Sequence, residues 1–189
     1  MTANSQVTDR YSGYAIGLHW ATAALIVALF FVGWRMVALP ISPAKFELYA
    51  LHKSLGVVVL AVTVWRLAVR LLRPAPDAID GPAWQMRAAA ASHALLYALL
   101  VALPISGWLF NSVVGFPLSL FGMVELPNLV TARPALKEVV RLGHVWLGWG
   151  LLPLLSLHIV AALRHHFLRH DRTLIRMLPH ISIWTRRPR

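Results

Sequence analysis

The chain of 189 residues contains no cysteine. That excludes a disulfide, an iron–sulfur cluster, a thiolate zinc site, thioether-linked haem and a cysteine nucleophile. Charge is scarce too, at 13% of residues, and acids are the scarcest, with seven against eighteen lysines and arginines. No internal repeat is visible, and the alanine run 88–91 is the one low-complexity tract. What the chain has is apolar residue: 58% of its length, with a mean hydropathy of +0.64. That richness excludes disorder, which goes with apolar poverty, and points to a membrane protein. The length suits one domain.

Charge-free stretches place the spans. A spanning helix needs about 20 largely apolar residues, and residues 11–34 and 142–163 carry no charge. A third charge-free stretch, 88–124, is too long for one span; Asn111-Ser112, then Gly115 and Pro117, mark a loop after about Phe110. The fourth candidate, about 49–72, carries His52, Lys53, Arg66 and Arg70 toward its ends, where long basic side chains snorkel to the interface. Four helices are expected at about 14–36, 49–71, 88–110 and 141–164, as one membrane domain with a loop over 111–139 and a basic tail over 165–189. No cleavable leader is expected, since the first apolar segment is long enough to span and no small-residue cleavage site follows it.

The net charge of +11 would suggest nucleic acid in a soluble protein; in a membrane protein it reads as topology. Four spans put both termini on one side. Twelve arginines and four aspartates fall there, a balance of +8, against six cations and three glutamates on the other side, a balance of +3. The expected fold is therefore an all-α integral membrane four-helix bundle with cytoplasmic termini, a lipid bilayer around it and no nucleic-acid partner. Tryptophans 34, 108, 146 and 149 fall near the outer level, and 20, 65, 84 and 184 near the inner, as two interfacial belts would.

Five of nine histidines lie within the spans: His19, His52, His93, His144 and His158. Ionisable residues inside a bilayer are costly and default to functional candidates; for any one of them, a hydrogen bond to a neighbouring helix is an equal account. Together they form a pattern. His144 and His158, 14 residues apart, differ by about 40° in azimuth and about 21 Å in height on one helix. His52 begins its helix level with His144, and His19 begins its own level with His158. Two bis-histidine haems stacked across the bilayer need this layout, because haem iron takes axial imidazoles. His93 also lies at the inner level. It competes with His19 as a ligand, or serves as hydrogen-bond partner to a propionate or quinone, or simply satisfies a neighbour. Gly33 and Gly107 lie 14 residues after His19 and His93, while Gly56 and Gly148 lie four after His52 and His144. They let a porphyrin approach backbone, or let helices pack closely. Arg66, 14 after His52, is a candidate partner for an inner propionate. His165, His166, His170 and His180 belong to the basic tail, as solvated residues or, less simply, a metal site.

The segments Leu18-His19-Trp20, His52-Lys53-Ser54-Leu55-Gly56, Trp65-Arg66-Leu67, Ala102-Leu103-Pro104-Ile105-Ser106-Gly107, His144 through His158, Arg164-His165-His166-Phe167 and Asp171-Arg172-Thr173-Leu174-Ile175-Arg176-Met177-Leu178-Pro179 together resemble the bacterial cytochrome b561 family. These are four-helix dihaem cytochromes of the inner membrane. The resemblance covers about residues 11–180. It implies two b haems, with His19 and His158 on the inner iron and His52 and His144 on the outer, and ubiquinone as redox partner. The best understood activity of the group is superoxide oxidation with ubiquinone as acceptor. Looser relatives are the cytochrome b subunits of hydrogenases and formate dehydrogenases, so the alternative is a relay subunit linking a partner dehydrogenase or hydrogenase to quinone. The six-span ascorbate-dependent namesakes are longer than this chain.

Superoxide is an anion, and the outer side is cationic although topology does not require it. Lys45, Lys53, Arg133, Lys137 and Arg141 are candidates for a field that steers it to the outer haem. Reduction of quinone to quinol takes two electrons and two protons; His93 and Glu138 are candidates for the proton route. The 111–139 segment either caps the outer haem, lines a quinone site, or is an interfacial loop without chemistry.

Overall fold

The computed structural model describes residues 10–72, residue 76 and residues 81–179. Trp184, His180 and the rest of the tail beyond residue 179 lie outside the described residues. Four helices dominate: α1 (Gly13–Ala38), α2 (Pro43–Leu72), α3 (Ala83–Val114) and α4 (Lys137–Phe167). All four are long and apolar enough to cross a membrane. α1 packs on α2, α2 on α3 and α3 on α4. The end where α1 begins and α4 finishes is called here the terminal end, and the opposite one the loop end.

Each helix runs past its expected bounds at both ends, because a helix does not stop where the hydrocarbon does. α2 starts at Pro43, six residues before the expected boundary. Proline suits the first helical turn, where its missing N–H is no loss, and Ser42 receives the Lys45 amide on its hydroxyl (3.4 Å) and carbonyl (3.1 Å). The loop expected after Phe110 begins later. Asn111 and Ser112 are helical and buried, and α3 ends at Gly115, whose φ of +84° closes the helix with its N–H on the Asn111 and Ser112 carbonyls. The two polar residues read as loop markers are instead part of a buried polar network.

That network organises the 111–139 segment, which is not a bare loop. Strands β1 (Leu118–Leu120) and β2 (Val124–Leu126) form an antiparallel hairpin, with Leu118 opposite Leu126 and Leu120 opposite Val124. Ser112 Oγ accepts the Leu129 amide (3.0 Å), and Asn111 Nδ2 donates to the Phe116 carbonyl (2.6 Å). Ser54 on α2, almost fully buried, accepts the Phe121 amide (2.9 Å). A 3₁₀ turn (Pro134–Leu136) leads into α4.

The bundle interior is thin. Its buried apolar centre is Ile26, Val59, Leu96, Leu100 and Leu151, while Val27, Phe31 and Val160 are among many large apolar side chains facing outward, the inside-out balance of a lipid-facing bundle. Beyond α4 the chain folds back onto α1. Trp20 Nε1 donates to the Met177 carbonyl (2.7 Å), and Arg10 Nη2 donates to those of Ile175 (3.0 Å) and Leu178 (2.8 Å).

Candidate functional site

The central residues of the bundle obey a spacing of seven. Ile26 lies midway between His19 and Gly33, Val59 between His52 and Arg66, Leu100 between His93 and Gly107, and Leu151 between His144 and His158. Seven residues are close to two turns, about 10 Å of rise, so all these residues share the inward face of their helices. The apolar centre therefore forms a plug, with a histidine cluster above and below it.

At the loop end, His52 and His144 face one another with ring centres 6.3 Å apart. At the terminal end, His19 and His158 are also 6.3 Å apart. A metal held between two opposed imidazole nitrogens at about 2 Å, with each ring centre about 1.1 Å behind its nitrogen, sets the centres about 6 Å apart. Both pairs have the separation of an axial ligand pair. His93 is nearer to His158, at 5.4 Å between centres, and so stands inside that distance.

The loop-end pair is seated on glycine. A Cβ built on Gly33 would meet the His52 ring at 3.2 Å, and one on Gly107 would meet the His144 ring at 3.1 Å. These two glycines make room for imidazoles from neighbouring helices. The other two read from the sequence do not: a Cβ on Gly56 has nothing within 4 Å, and one on Gly148 meets only Leu103 at 4.0 Å. His144 Nδ1 lies 3.1 Å from the Leu103 carbonyl and 2.9 Å from Ser106 Oγ. Ser106 itself donates to the Leu103 carbonyl (2.7 Å), which leaves both oxygens as acceptors and assigns the ring proton to Nδ1. Nε2 then keeps its lone pair, the tautomer a metal-ligating histidine needs. His52 Nδ1 is buried without a hydrogen-bond partner.

The terminal-end cluster is built differently. Arg66 Nη2 lies 2.9 Å from His19 Nδ1, and its guanidinium stands over the Tyr97 ring at 5.3 Å. A guanidinium only donates, so Nδ1 accepts there. Trp20 meets the His19 ring edge-on at 5.5 Å.

The five cations proposed from sequence to steer an anion divide. Lys45 Nζ donates to the Leu39 carbonyl at the end of α1 (2.7 Å). Lys53 Nζ reaches Asn111 Oδ1 (3.3 Å) and the Pro117 carbonyl (3.4 Å) at the root of the hairpin. Arg141 Nε pairs with Glu138 at 2.8 Å. Among the described residues, the side chains of Arg133 and Lys137 carry neither a hydrogen bond nor an ion pair. Lys53 thus serves the hairpin, and Glu138 is occupied by Arg141. In the tail, His165 is bound to Asp171, and among the described residues no group of three or more histidines and acids is arranged to hold a bare metal ion.

Sequence reasoning gave no role to Ser106, the Leu103 carbonyl or Ser54, and took Ser112 for a loop marker. The seven-residue spacing of histidines, glycines and apolar midpoints was present in the sequence and signals the inward faces. The serines leave no such signal.

A four-helix bundle with a histidine pair at each end of an apolar plug defines a membrane protein built for electron carriers. The chain belongs to the prokaryotic cytochrome b561 family, whose profile matches residues 10–180. It is 34% identical over 172 residues to cytochrome b561 homolog 2 of Escherichia coli K12, covering 90% of this chain and 92% of that one. It is 32% identical over 182 residues to cytochrome b561 homolog 1 of the same organism (90% and 98%). It is 29% identical over 174 residues to the probable superoxide oxidase CybB of Yersinia pestis (90% and 96%). The family implies b-type haem and an electron-transfer role in a multi-pass membrane protein.

Proposed function

We propose that this chain carries two b haems and passes electrons from superoxide to ubiquinone across the bacterial inner membrane. The observation that carries the reading is the recurrence of one histidine separation, 6.3 Å, at two levels about 21 Å apart along α4. His52 and His144 hold the outer haem, and His19 and His158 the inner one. Each haem supplies a one-electron couple when bound. The loop end is periplasmic and the terminal end cytoplasmic, an orientation the distribution of arginine supports.

The protein's own part is positioning. Leu103 and Ser106 keep the proton of His144 on Nδ1. Gly33 and Gly107 leave space for the outer imidazoles. Ile26, Val59, Leu100 and Leu151 keep water out of the centre. Ligation through Nε2 would place the His19 proton on Nδ1, where a guanidinium finds no acceptor; Arg66 would then be released from the ring and could hold a haem propionate. Lys137 and Arg133, with no partner among the described residues, supply the attraction for superoxide. Lys45 and Lys53, bonded to neutral oxygens, keep their charge and add to that field, whereas Arg141 is offset by Glu138. Two superoxide ions each give up one electron and leave as dioxygen, and one ubiquinone takes both electrons and two protons to become the quinol.

The test is the purified chain in detergent. It should show a reduced-minus-oxidised b-type spectrum and two haems per chain. On rapid mixing, superoxide should reduce them at a rate that falls as salt rises and falls severalfold in Lys137→Glu at low salt. A haem spectrum without reduction by superoxide would instead assign the chain as a relay subunit for a partner dehydrogenase or hydrogenase, a reading favoured by the engagement of three of the five cations. No haem at all would overturn both readings.

A further inference from the structure

The tip of the hairpin is built against its own interests in water. Phe121 has a φ of +50° and Gly122 one of +73°, the central residues of a turn closed by the Met123 amide on the Leu120 carbonyl (3.0 Å) within the three-residue loop between paired Leu120 and Val124. Such turns favour Asn-Gly or Asp-Gly, and left-handed backbone is an outlier for a bulky residue. Here phenylalanine takes that position and is 53% exposed, followed by Met123 at 85% and Val124 at 55%. A strained turn that displays apolar side chains asks what covers them.

The depth of the tip answers. Phe121 is tied by its amide to Ser54, two residues and about 3 Å of rise from His52. The same level holds the loop-end tryptophans: Trp34 follows Gly33, which abuts His52, and Trp108 follows Gly107, which abuts His144. Trp108 Nε1 donates to the Pro127 carbonyl just after β2 (3.1 Å), so both ends of the hairpin sit at one height. Trp34 and Trp146 are 80% and 70% exposed, as belt residues are. Ser54 lies about 200° around α2 from His52, so the tip is on the flank away from the histidines. The hairpin is also two-faced. Leu118, Leu120, Val124 and Leu126 share one side and Ser119 and Glu125 the other, by the alternation of a strand. An element with an apolar face, a polar face and an aromatic tip, lying at the belt and continuous with a lipid-facing bundle, has the character of an interfacial anchor.

We propose that Phe121 and Met123 insert into the loop-end leaflet beside α2, with Glu125 toward water, so that the hairpin is a lipid-anchored clasp on the α2–α3 flank rather than a cap over the histidine pair. The chain's lack of cysteine makes the test clean. Met123→Cys and, separately, Glu125→Cys are spin-labelled and reconstituted into phosphatidylcholine–phosphatidylglycerol vesicles, and collisions with oxygen and with a neutral nickel chelate are compared. The label at 123 should favour oxygen severalfold, and the label at 125 should favour nickel. A label at 123 as open to nickel as the one at 125 would overturn the proposal. Phe121→Gly, which relieves the left-handed strain and so spares the turn, should move the label at 123 toward nickel; no movement would show that the ring does not hold the tip in lipid.

Discussion

The two histidine clusters lie on the same four helix faces and have the same principal separation, yet their surroundings differ. The loop-end pair is packed by subtraction: two glycines clear space for two imidazoles, and His144 has its proton directed by a carbonyl and a serine. The terminal-end cluster is packed by addition, with a third histidine, a guanidinium and a tyrosine. The first arrangement locks rings in place and is neutral. The second puts a fixed positive charge against one ring and leaves a spare imidazole. The lesson is that one cofactor chemistry can be repeated at two depths while the charge around each copy is set independently.

Removing ligands should break the comparison most sharply. His144→Leu and His158→Leu are each expected to take the haem count from two to one, and pyridine-haemochrome assay with redox titration should show opposite members of the pair surviving. His93→Leu should keep both, since its 5.4 Å approach to His158 is shorter than two directly opposed ligating imidazoles require; loss of a haem there would reassign the inner ligand.

Next in size is the glycine seat. Gly107→Val places branched carbon against the His144 ring, where a Cβ alone already comes to 3.1 Å, so the ring must shift. Loss of the loop-end haem alone is expected. Gly56→Ala, with nothing within 4 Å, should leave both haems in place. The pair of variants separates a seat from general helix packing.

A smaller effect should distinguish the clusters electrostatically. Arg66→Leu removes a cation from the terminal end only. Loss of positive charge favours the ferric state, so the inner midpoint should fall by about 60 mV, a tenfold change in the one-electron equilibrium, while the outer midpoint stays. Equal movement of both midpoints would show a general structural change.

The smallest concerns the tail that closes the terminal end. Burial raises the Asp171 pKa, but hydrogen bonds from Thr173 and the nearby His165 outweigh it and hold the carboxyl below its ordinary value. A carboxyl depressed on folding stabilises above its unfolded pKa, and that contribution is lost as pH falls through the folded one. Amide protection over residues 172–178, taken relative to the intrinsic exchange rate at each pH, should therefore fall in acid in the native chain. Asp171→Asn should show lower protection already near neutrality and lose most of that further fall in acid.

Much of this architecture was legible from residues. Charge-free windows located four helices because the hydrocarbon core tolerates little else, and the 14-residue interval from His144 to His158 carried the two-level arrangement. Helix ends were not legible. The charge-free windows 11–34 and 142–163 read as limits of a span, yet α1 runs on to Ala38 and α4 from Lys137 to Phe167, because a helix continues into the interface wherever its polar side chains meet water. Asn111 and Ser112 read as loop residues because their polarity is visible in a sequence and their burial is not. Four glycines were read as candidates for close approach, two lying 14 and two lying four residues after a histidine, and only Gly33 and Gly107 proved to face a ring, since spacing locates a face but not what stands opposite it.

The sequence by itself determined the solvent of this protein and the faces of its helices. Hydropathy and helical period are local properties, and a residue's azimuth follows from its number. Tertiary structure alone decided which side chains meet across helices: Arg66 on His19, Ser106 on His144, Ser54 on the hairpin, and Lys53 turned to the hairpin root. Each of these joins residues at least 38 positions apart, and no local rule relates two such residues until the helices between them have packed.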